Sequence, residues 1–147
     1  MHRAEQIVDA MVALQPTTGA RFKNRTLSLS ELDGELPASV VNIGEDEPAD
    51  DDGASNFAFI DSLLSLECTL YVRAETEDEA ISALMQLRSA QHVAVMADRT
   101  LGLTAFVIDT RYGGAGEPDI EAQSEYVSAS LTTRWQVHYR MNIGNPE

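Results

Sequence analysis

The sequence EYVSASLTTRWQVHYRM at residues 125–141 alternates between two kinds of side chain. Its odd positions suit a core: they are Val127, Ala129, Leu131, Thr133, Trp135, Val137, Tyr139 and Met141. Its even positions are polar or amphipathic. Such alternation predicts one β-strand of about 50 Å, at roughly 3.3 Å per residue, which is about twice the usual length. We expect part of this strand to project from a small domain or to pair with another copy of the chain.

Two segments on the N-terminal side of this strand predict amphipathic helices. Residues 2–14 place apolar side chains at helical spacing, and Pro16 and Gly19 end that helix. Thr76 and Glu79 form a capping box for a second helix that runs to about Met96. Its predicted buried stripe is Ala80, Ile81, Leu84, Leu87, Ala90 and Ala94.

The remaining apolar patterns predict strands. Residues 21–32 read as a strand or irregular extended segment, residues 39–43 as a short strand closed by Gly44, and residues 66–74 as a strand with even positions inward. Residues 103–110 are apolar on both faces, which favours a central strand. The predicted fold is α+β, with a mostly antiparallel sheet, two helices packed on one face, a long C-terminal strand and a hairpin.

The length of 147 residues predicts a single domain, 1–147. Residues 45–53 contain six acids, a proline and a glycine, so we expect a mobile acidic loop over residues 45–56. The run Tyr112-Gly113-Gly114-Ala115-Gly116 predicts the start of a flexible hairpin tip over residues 112–122.

The net charge of the chain limits the classes of partner that it is expected to bind. A net charge of −14 repels phosphates, so stable binding to DNA, RNA or anionic lipid is not expected. It favours a basic protein partner, an assembly that depends on divalent cations, or a surface that DNA passes without sticking. The sequence shows no signal peptide and no apolar run long enough to cross a membrane, which predicts a soluble protein made inside the cell.

Several residues invite a chemical role, and each has a simpler interpretation. The glycines at 113–116 lack the lysine and following helix of a phosphate loop, and the acids after Asp50 lack the closing Glu of an EF-hand. Cys68 is predicted to be a small buried residue. His2, His92 and His138 share no ligand spacing. Trp135 and Tyr139 favour core packing over an aromatic ligand site.

No group of residues forms a catalytic, cofactor-binding or metal-binding set, so the sequence predicts a protein that is not an enzyme. The candidate functional residues are instead contact residues, chosen from outward strand positions and the predicted loops. They are Asp46, Asp50, Asp51, Asp52, Tyr71, Arg73, Tyr112, Glu117, Arg134, His138 and Arg140. We expect some of the basic ones to meet the acids of a neighbouring subunit.

The order of these features resembles the tail terminator and tail-completion (minor tail) proteins of long-tailed bacteriophages. An amphipathic helix at Ile7–Leu14 precedes the run LPASVVNI at residues 36–43, a proline entry into a strand. An alternating strand (residues 66–74), a capped helix (residues 76–96) and a strand ending WQVHYR at residues 135–140 follow. The resemblance covers nearly the whole chain as a pattern, without a diagnostic motif.

The resemblance implies a virion protein of the tail-neck region, assembled in the host cytoplasm. Its copies would form a hexameric ring that caps the tail tube, stops tube polymerisation and offers the head-tail joining surface. The implied partners are other copies of the chain, the tail tube protein and the head-tail connector protein, with DNA passing through unbound. Because copies at −14 repel one another, we expect ring closure to need salt, Mg²⁺ or the tube end.

Three other roles stay open at this point. A neck-side tail-completion or connector protein would share the same architecture. An acidic inhibitor that mimics DNA is compatible with the net charge, although it would need carboxylates spaced like phosphates. A small enzyme or ligand-binding domain with an unrecognised site would need a well-formed pocket.

Overall fold

The computed structural model describes residues 1–27, 32, 34–49, 59–142 and 144–147. Within them, two helices accompany a six-stranded, mostly antiparallel sheet, so the predicted α+β class is confirmed. The helices are α1 (Arg3–Ala13) and α2 (Glu77–Met96). The strands are β1 (Arg21–Lys23), β2 (Ala38–Pro48), β3 (Phe59–Ala74), β4 (Val107–Ala115), β5 (Asp119–Ala122) and β6 (Val127–Asn142).

Two long strands form the centre of the sheet. β3 and β6 have 16 residues each and pair antiparallel from Phe59 opposite Asn142 to Ala74 opposite Val127. The odd positions of β6 from Ala129 to Tyr139 are buried, which confirms the long alternating strand. Its whole length is paired within the chain, so the expectation that part of it projects is wrong. The reason is that β3 begins at Phe59 rather than at Leu66 and is as long as β6.

The helices pack on one face of the sheet, as predicted. Ile7 and Met11 of α1 join Leu66 and Trp135 in one part of the core. In a second part, Ala80 and Leu84 of α2 lie against Leu70, Val72, Ala129 and Leu131. Thr76 Oγ1 accepts a hydrogen bond from the Glu79 amide at 3.2 Å, which confirms the predicted cap.

The buried stripe of α2 differs from the prediction in its second half. The helix buries Ala80, Leu84, Gln91 and Val95, whereas the predicted Ala90 is exposed. These buried positions follow the helical period continuously, so the stripe passes through a glutamine. A selection of apolar residues alone therefore included the exposed Ala90 and missed Gln91, whereas the predicted Leu87 does pack against the core.

The remaining strands lie outside this centre in the order β1-β2-β3-β6-β4, with β5 also paired to β6. β1 is parallel to β2, and it contains only three residues of the extended segment predicted at 21–32. Residues 28–31 of that segment lie outside the described residues. β4 lies opposite Thr133–Tyr139 and β5 opposite Val127–Ser130, so they follow one another along the same side of β6.

The prediction of a central strand at residues 103–110 is wrong. The strand begins at Val107 and lies at the border of the sheet, beyond β6. Leu103 belongs to the turns before it, where the Leu103 carbonyl accepts from the amides of Phe106 and Val107. Phe106 and Val107 are buried where the chain enters the sheet, and this produced an apolar pattern on both faces.

The hairpin tip predicted at residues 112–122 is also wrong in position. Tyr112–Ala115 belong to β4 and Asp119–Ala122 to β5, with only residues 116–118 between them. The turn into β6 lies at residues 123–126, where the Gln123 amide donates to the Tyr126 carbonyl at 2.8 Å. Gly114, with a φ of +100°, lies at a shift in the β4–β6 register. The glycines therefore form an irregularity within a border strand rather than a turn.

The acidic segment begins as a strand rather than a loop. β2 continues through Gly44, shifts register after Ile43, and pairs Asp46–Pro48 with Ser62–Leu64 of β3. Its side chains from Ile43 to Pro48 are exposed, so the carboxylates remain in water while the backbone pairs with the unexpectedly long β3. The prediction of a mobile loop is therefore wrong for residues 45–48. Residues 50–58, including Asp50, Asp51 and Asp52, lie outside the described residues.

Candidate functional site

Among the described residues, no helix covers one face of the sheet, and polar side chains lie on that face. Because successive strand residues point to opposite faces, the even positions of β6 and the odd positions of β3 lie on this open face. The predicted outward residues Tyr71, Arg73, Arg134, His138 and Arg140 all lie on it. Arg111 of β4, opposite Gln136, joins them. The open face therefore bears four of the 10 lysines and arginines of an otherwise acidic chain.

At one end of the open face, Asp61 is held by two basic side chains. Its carboxylate is 2% exposed and accepts from Arg140 Nε at 2.7 Å and Nη2 at 3.2 Å. His138 Nε2 lies 3.2 Å from the same group, and the Arg140 guanidinium lies 3.8 Å from the Phe59 ring centroid. The hydrogen bonds from Arg140 lower the pKa of Asp61, although burial opposes this. His138 and Arg140 therefore fasten β3 to β6 within the chain.

Asp61→Asn is expected to destabilise the protein at neutral pH and to have much less effect in acid. The pKa of Asp61 in the folded protein lies below its unfolded value of about 3.9. The ionised carboxylate therefore stabilises the folded state above that value, and this stabilisation is lost as the pH falls through the folded pKa. Urea unfolding should give free energies of unfolding for wild type and variant that begin to approach one another as the pH falls below about 4. A difference that is independent of pH would mean that packing, not charge, sets the effect.

The middle of the open face is a shallow groove with exposed arginines. A hollow of about 580 Å³ crosses the sheet, and a smaller one of about 210 Å³ beside it shares Arg111 and Gln136. The side chains lining the larger hollow include Glu45, Ser65, Glu67, Arg111, Arg134 and Gln136. The Arg134 and Arg111 side chains are 59% and 73% exposed. Their charged groups are thus available to a partner.

The carboxylates near these arginines hold them loosely. Arg134 Nε lies 3.9 Å from Glu67 Oε1, and Arg111 Nε lies 3.4 Å from Asp109 Oδ2. Asp109 pairs more closely with Arg99, at 2.6 Å. Burial raises the pKa of Asp109, but the hydrogen bonds from Arg99 and Arg111 outweigh it and leave the pKa below its usual value. Exposed pairs of this kind contribute little stability, so exchanging them for a partner's carboxylates costs little.

Most of the other predicted contact residues lie outside this groove, although Tyr112 is among the residues that line its larger hollow. Tyr112 lies on the helix-covered face, where Arg88 Nη2 donates to its hydroxyl at 2.8 Å. Asp46 accepts from the Tyr139 hydroxyl at 2.6 Å, and Glu117 is exposed between β4 and β5. Arg73 lies at the far end of the open face, 3.9 Å from the Tyr126 ring centroid. The sequence also missed Arg111, because β4 was expected to break at Tyr112.

Three of the residues that were candidates for a chemical role, Cys68, Trp135 and Tyr139, lie in the core. Cys68 is buried, and burial raises the pKa of its thiol to about 12, so the prediction of an inert buried residue is confirmed. Trp135 and Tyr139 are buried, which confirms core packing. The His2 ring accepts from the Ala4 amide at the start of α1. Across the part of the chain that the structure describes, no group of His, Cys, Asp and Glu has metal-binding geometry.

Comparison with known proteins gives no relative: no family model matches the chain, and no curated protein matches it. Within the described ranges, neither helix combines the length and apolarity needed to cross a membrane.

Proposed function

We propose that this chain is the tail terminator of a long-tailed bacteriophage, a structural protein whose copies close into a ring on the end of the tail tube. There it stops tube polymerisation and provides the surface to which the head-tail connector docks. The observation that carries the proposal is that an acidic part of β2 lies at one border of the sheet, whereas exposed arginines lie at the β4 part of the other. A neck-side tail-completion protein is the alternative within the same architecture, and its partners would distinguish it.

One border of the sheet is acidic where β2 extends beyond β1, although β1 itself carries Arg21 and Lys23. β1 pairs only with Ser39–Val41, and β2 continues beyond it with exposed side chains that include Glu45, Asp46 and Glu47. Among the described residues, no strand pairs with the outer side of this part of β2. An unpaired border of this kind can accept another chain, and its acids select a basic one.

The opposite border carries exposed arginines in its β4 part. β4 forms it, with Arg111 on the strand, Arg99 beside it and Arg134 on the neighbouring β6. Asp109 is shared between two of these arginines, so it does not neutralise both. Exposed arginines therefore remain at the β4 part of this border, whereas Glu117, Asp119 and Glu121 make the part around β5 acidic.

Opposite charges on two borders favour head-to-tail association. A twofold contact between equivalent borders would bring acid against acid, whereas a head-to-tail contact brings Glu45 and Glu47 of one copy towards Arg111 and Arg134 of the next. Head-to-tail contacts close into rings when the rotation between copies allows it. The net charge of −14 on every copy still opposes closure, so salt or Mg²⁺ should favour the ring.

The charge distribution gives less support to an inhibitor that mimics DNA. Such a protein needs an unbroken array of carboxylates, and the arginines of the open face interrupt one. We therefore do not propose that role.

Charge reversal at the two borders tests the proposal. The wild-type chain is expected to give a ring, most tellingly of six, by native mass spectrometry in moderate salt with Mg²⁺. Arg111→Glu/Arg134→Glu and Glu45→Arg/Glu47→Arg should each prevent it, since each places like charges in contact. Combining all four substitutions should restore the ring, because the borders then exchange signs.

Glu77→Arg is the matched control for charge reversal, because this exposed residue begins α2, far along the sheet from Glu45 and from Arg111. It should leave the ring unchanged. A ring that forms equally well from the Arg111→Glu/Arg134→Glu variant contradicts the proposed contact. A wild-type chain that remains dimeric under every condition contradicts the terminator function.

A further inference from the structure

We infer that the chain has a second, unrelated site, which binds a small aromatic carboxylate between α2 and the β4–β6 part of the sheet. A cavity of about 370 Å³ lies there, on the helix-covered face, whereas the groove lies on the open face; Tyr112 is in the lining of both. It is lined by Met85, Arg88, Ser89, Gln91, His92, Tyr112, Thr133 and Trp135. Its volume lies within the usual range of small-molecule sites, about 300–1,000 Å³.

Three rings form the aromatic part of this cavity. The centroids of Tyr112 and Trp135 lie 5.2 Å apart at an interplanar angle of 64°, and those of His92 and Tyr112 lie 5.2 Å apart at 76°. Tyr112 and His92 are exposed, whereas Trp135 is buried. A flat aromatic ligand can therefore pack against one ring face and meet the edge of another.

Arg88 of the cavity favours a ligand that carries a negative charge. Arg88 Nη2 donates to the Tyr112 hydroxyl, and among the described residues Arg88 has no carboxylate partner. This is unusual in a chain with 24 acids. Among the described residues that line the cavity there is no aspartate or glutamate to repel an anion. The guanidinium has donors left over and can bind a carboxylate through two parallel hydrogen bonds.

Buried hydrogen bonds fix the floor of the cavity. The Trp135 indole donates to Thr133 Oγ1 at 3.0 Å, and Thr133 Oγ1 donates to Gln91 Oε1 at 2.7 Å. Gln91 Nε2 in turn donates to Gln15 Oε1 at 2.8 Å. All of these side chains are fully or almost fully buried. A floor held by such bonds does not rearrange when a ligand enters, which lowers the cost of binding.

The only tryptophan of the chain reports directly on this site. Titration with benzoate is expected to change Trp135 fluorescence to a plateau, and backbone amide shifts should be confined to residues 85–92, 112–113 and 133–135. Benzamide, which has the same shape without the charge, should bind about tenfold more weakly or worse. Arg88→Gln should lose a similar factor for benzoate while leaving benzamide binding unchanged.

Arg134→Gln is the matched control, since it removes an arginine from the opposite face of the sheet, and it should bind benzoate as wild type does. The inference is overturned if benzoate gives neither saturable fluorescence changes nor localised amide shifts. It is also overturned if benzamide binds as tightly as benzoate, or if Arg88→Gln binds benzoate as tightly as wild type.

Discussion

Trp135→Ala is expected to lower the free energy of unfolding by about 4 kcal/mol, one of the largest losses available to a single substitution in this chain. Trp135 is among the largest fully buried side chains and lies opposite Leu66 of β3 and Tyr112 of β4. The substitution removes apolar burial and aromatic pairs and leaves a void that the surrounding strands cannot close. For a chain of this size, the melting temperature should fall by about 10 °C.

A second variant separates the contribution of the lost hydrogen bond from that of the lost packing. Trp135→Phe keeps a ring in the core but removes the indole donor to Thr133 Oγ1. A lost neutral hydrogen bond costs about 1 kcal/mol, so most of the remaining effect in the alanine variant would be packing.

Val93→Ala is the control for truncation of an apolar side chain. Val93 is 70% exposed on α2, and its truncation should change the free energy of unfolding by no more than about 0.5 kcal/mol. Chemical denaturation followed by circular dichroism measures all three variants, since fluorescence is lost with the tryptophan. A loss below about 1 kcal/mol for Trp135→Ala would mean that the core around β6 repacks freely, contrary to the rigid floor inferred above.

The sequence predicted those parts of the fold in which side-chain type and burial agree. The residue types of β6 alternate regularly, and so do those of β3 around Cys68. The reason is that one face of each strand packs into the core while most of the other face meets water. Thr76 was identifiable as a cap because its hydroxyl is needed by a free helix amide. These features depend on local chemistry alone.

The sequence failed where residues typical of loops lie in strands. The Glu45–Pro48 segment and the glycines after Tyr112 belong to border strands, which need backbone partners but not buried side chains. Their pairing depends on the length of β3 and β6, which no local pattern contains. The same error hid Arg111, whereas Arg134 was found because it lies within the regular alternation of β6. One of the two exposed arginines of the open-face groove was therefore predictable from the sequence.

Gln91 was missed because a glutamine in a helix is usually assumed to face water. It lies seven residues after Leu84 and four before Val95, so the helical period alone places it in the buried stripe. Its amide then needs partners, and the chain supplies Gln15 and Thr133. The position was predictable from spacing, but the identity of its partners required the tertiary structure.

Gln91→Ala is expected to lower the free energy of unfolding by about 3 kcal/mol. The fully buried Gln91 amide connects Gln15, just after α1, to Thr133 in β6. Its removal leaves the Gln15 carbonyl oxygen and the Thr133 hydroxyl buried without that partner, at about 1–3 kcal/mol each. Thr133 has a second acceptor in the Cys68 carbonyl at 3.3 Å, so its share should be the smaller one. Gln86→Ala, on the exposed side of α2, is the matched control and should be close to neutral.

The double variant Gln15→Met/Gln91→Met gives the sharper test of this buried pair. Each single methionine substitution leaves the remaining amide beside an apolar side chain and without its amide partner. The double substitution replaces both amides with side chains of similar size. Replacing both partners in this way can be nearly neutral, so the double variant should be less destabilised than the sum of the two single variants, with a coupling of about 1–2 kcal/mol. Urea unfolding of the four proteins measures that coupling. Additive losses would contradict a direct bond between the amides, and the positions of α1 and α2 would then depend on apolar packing alone.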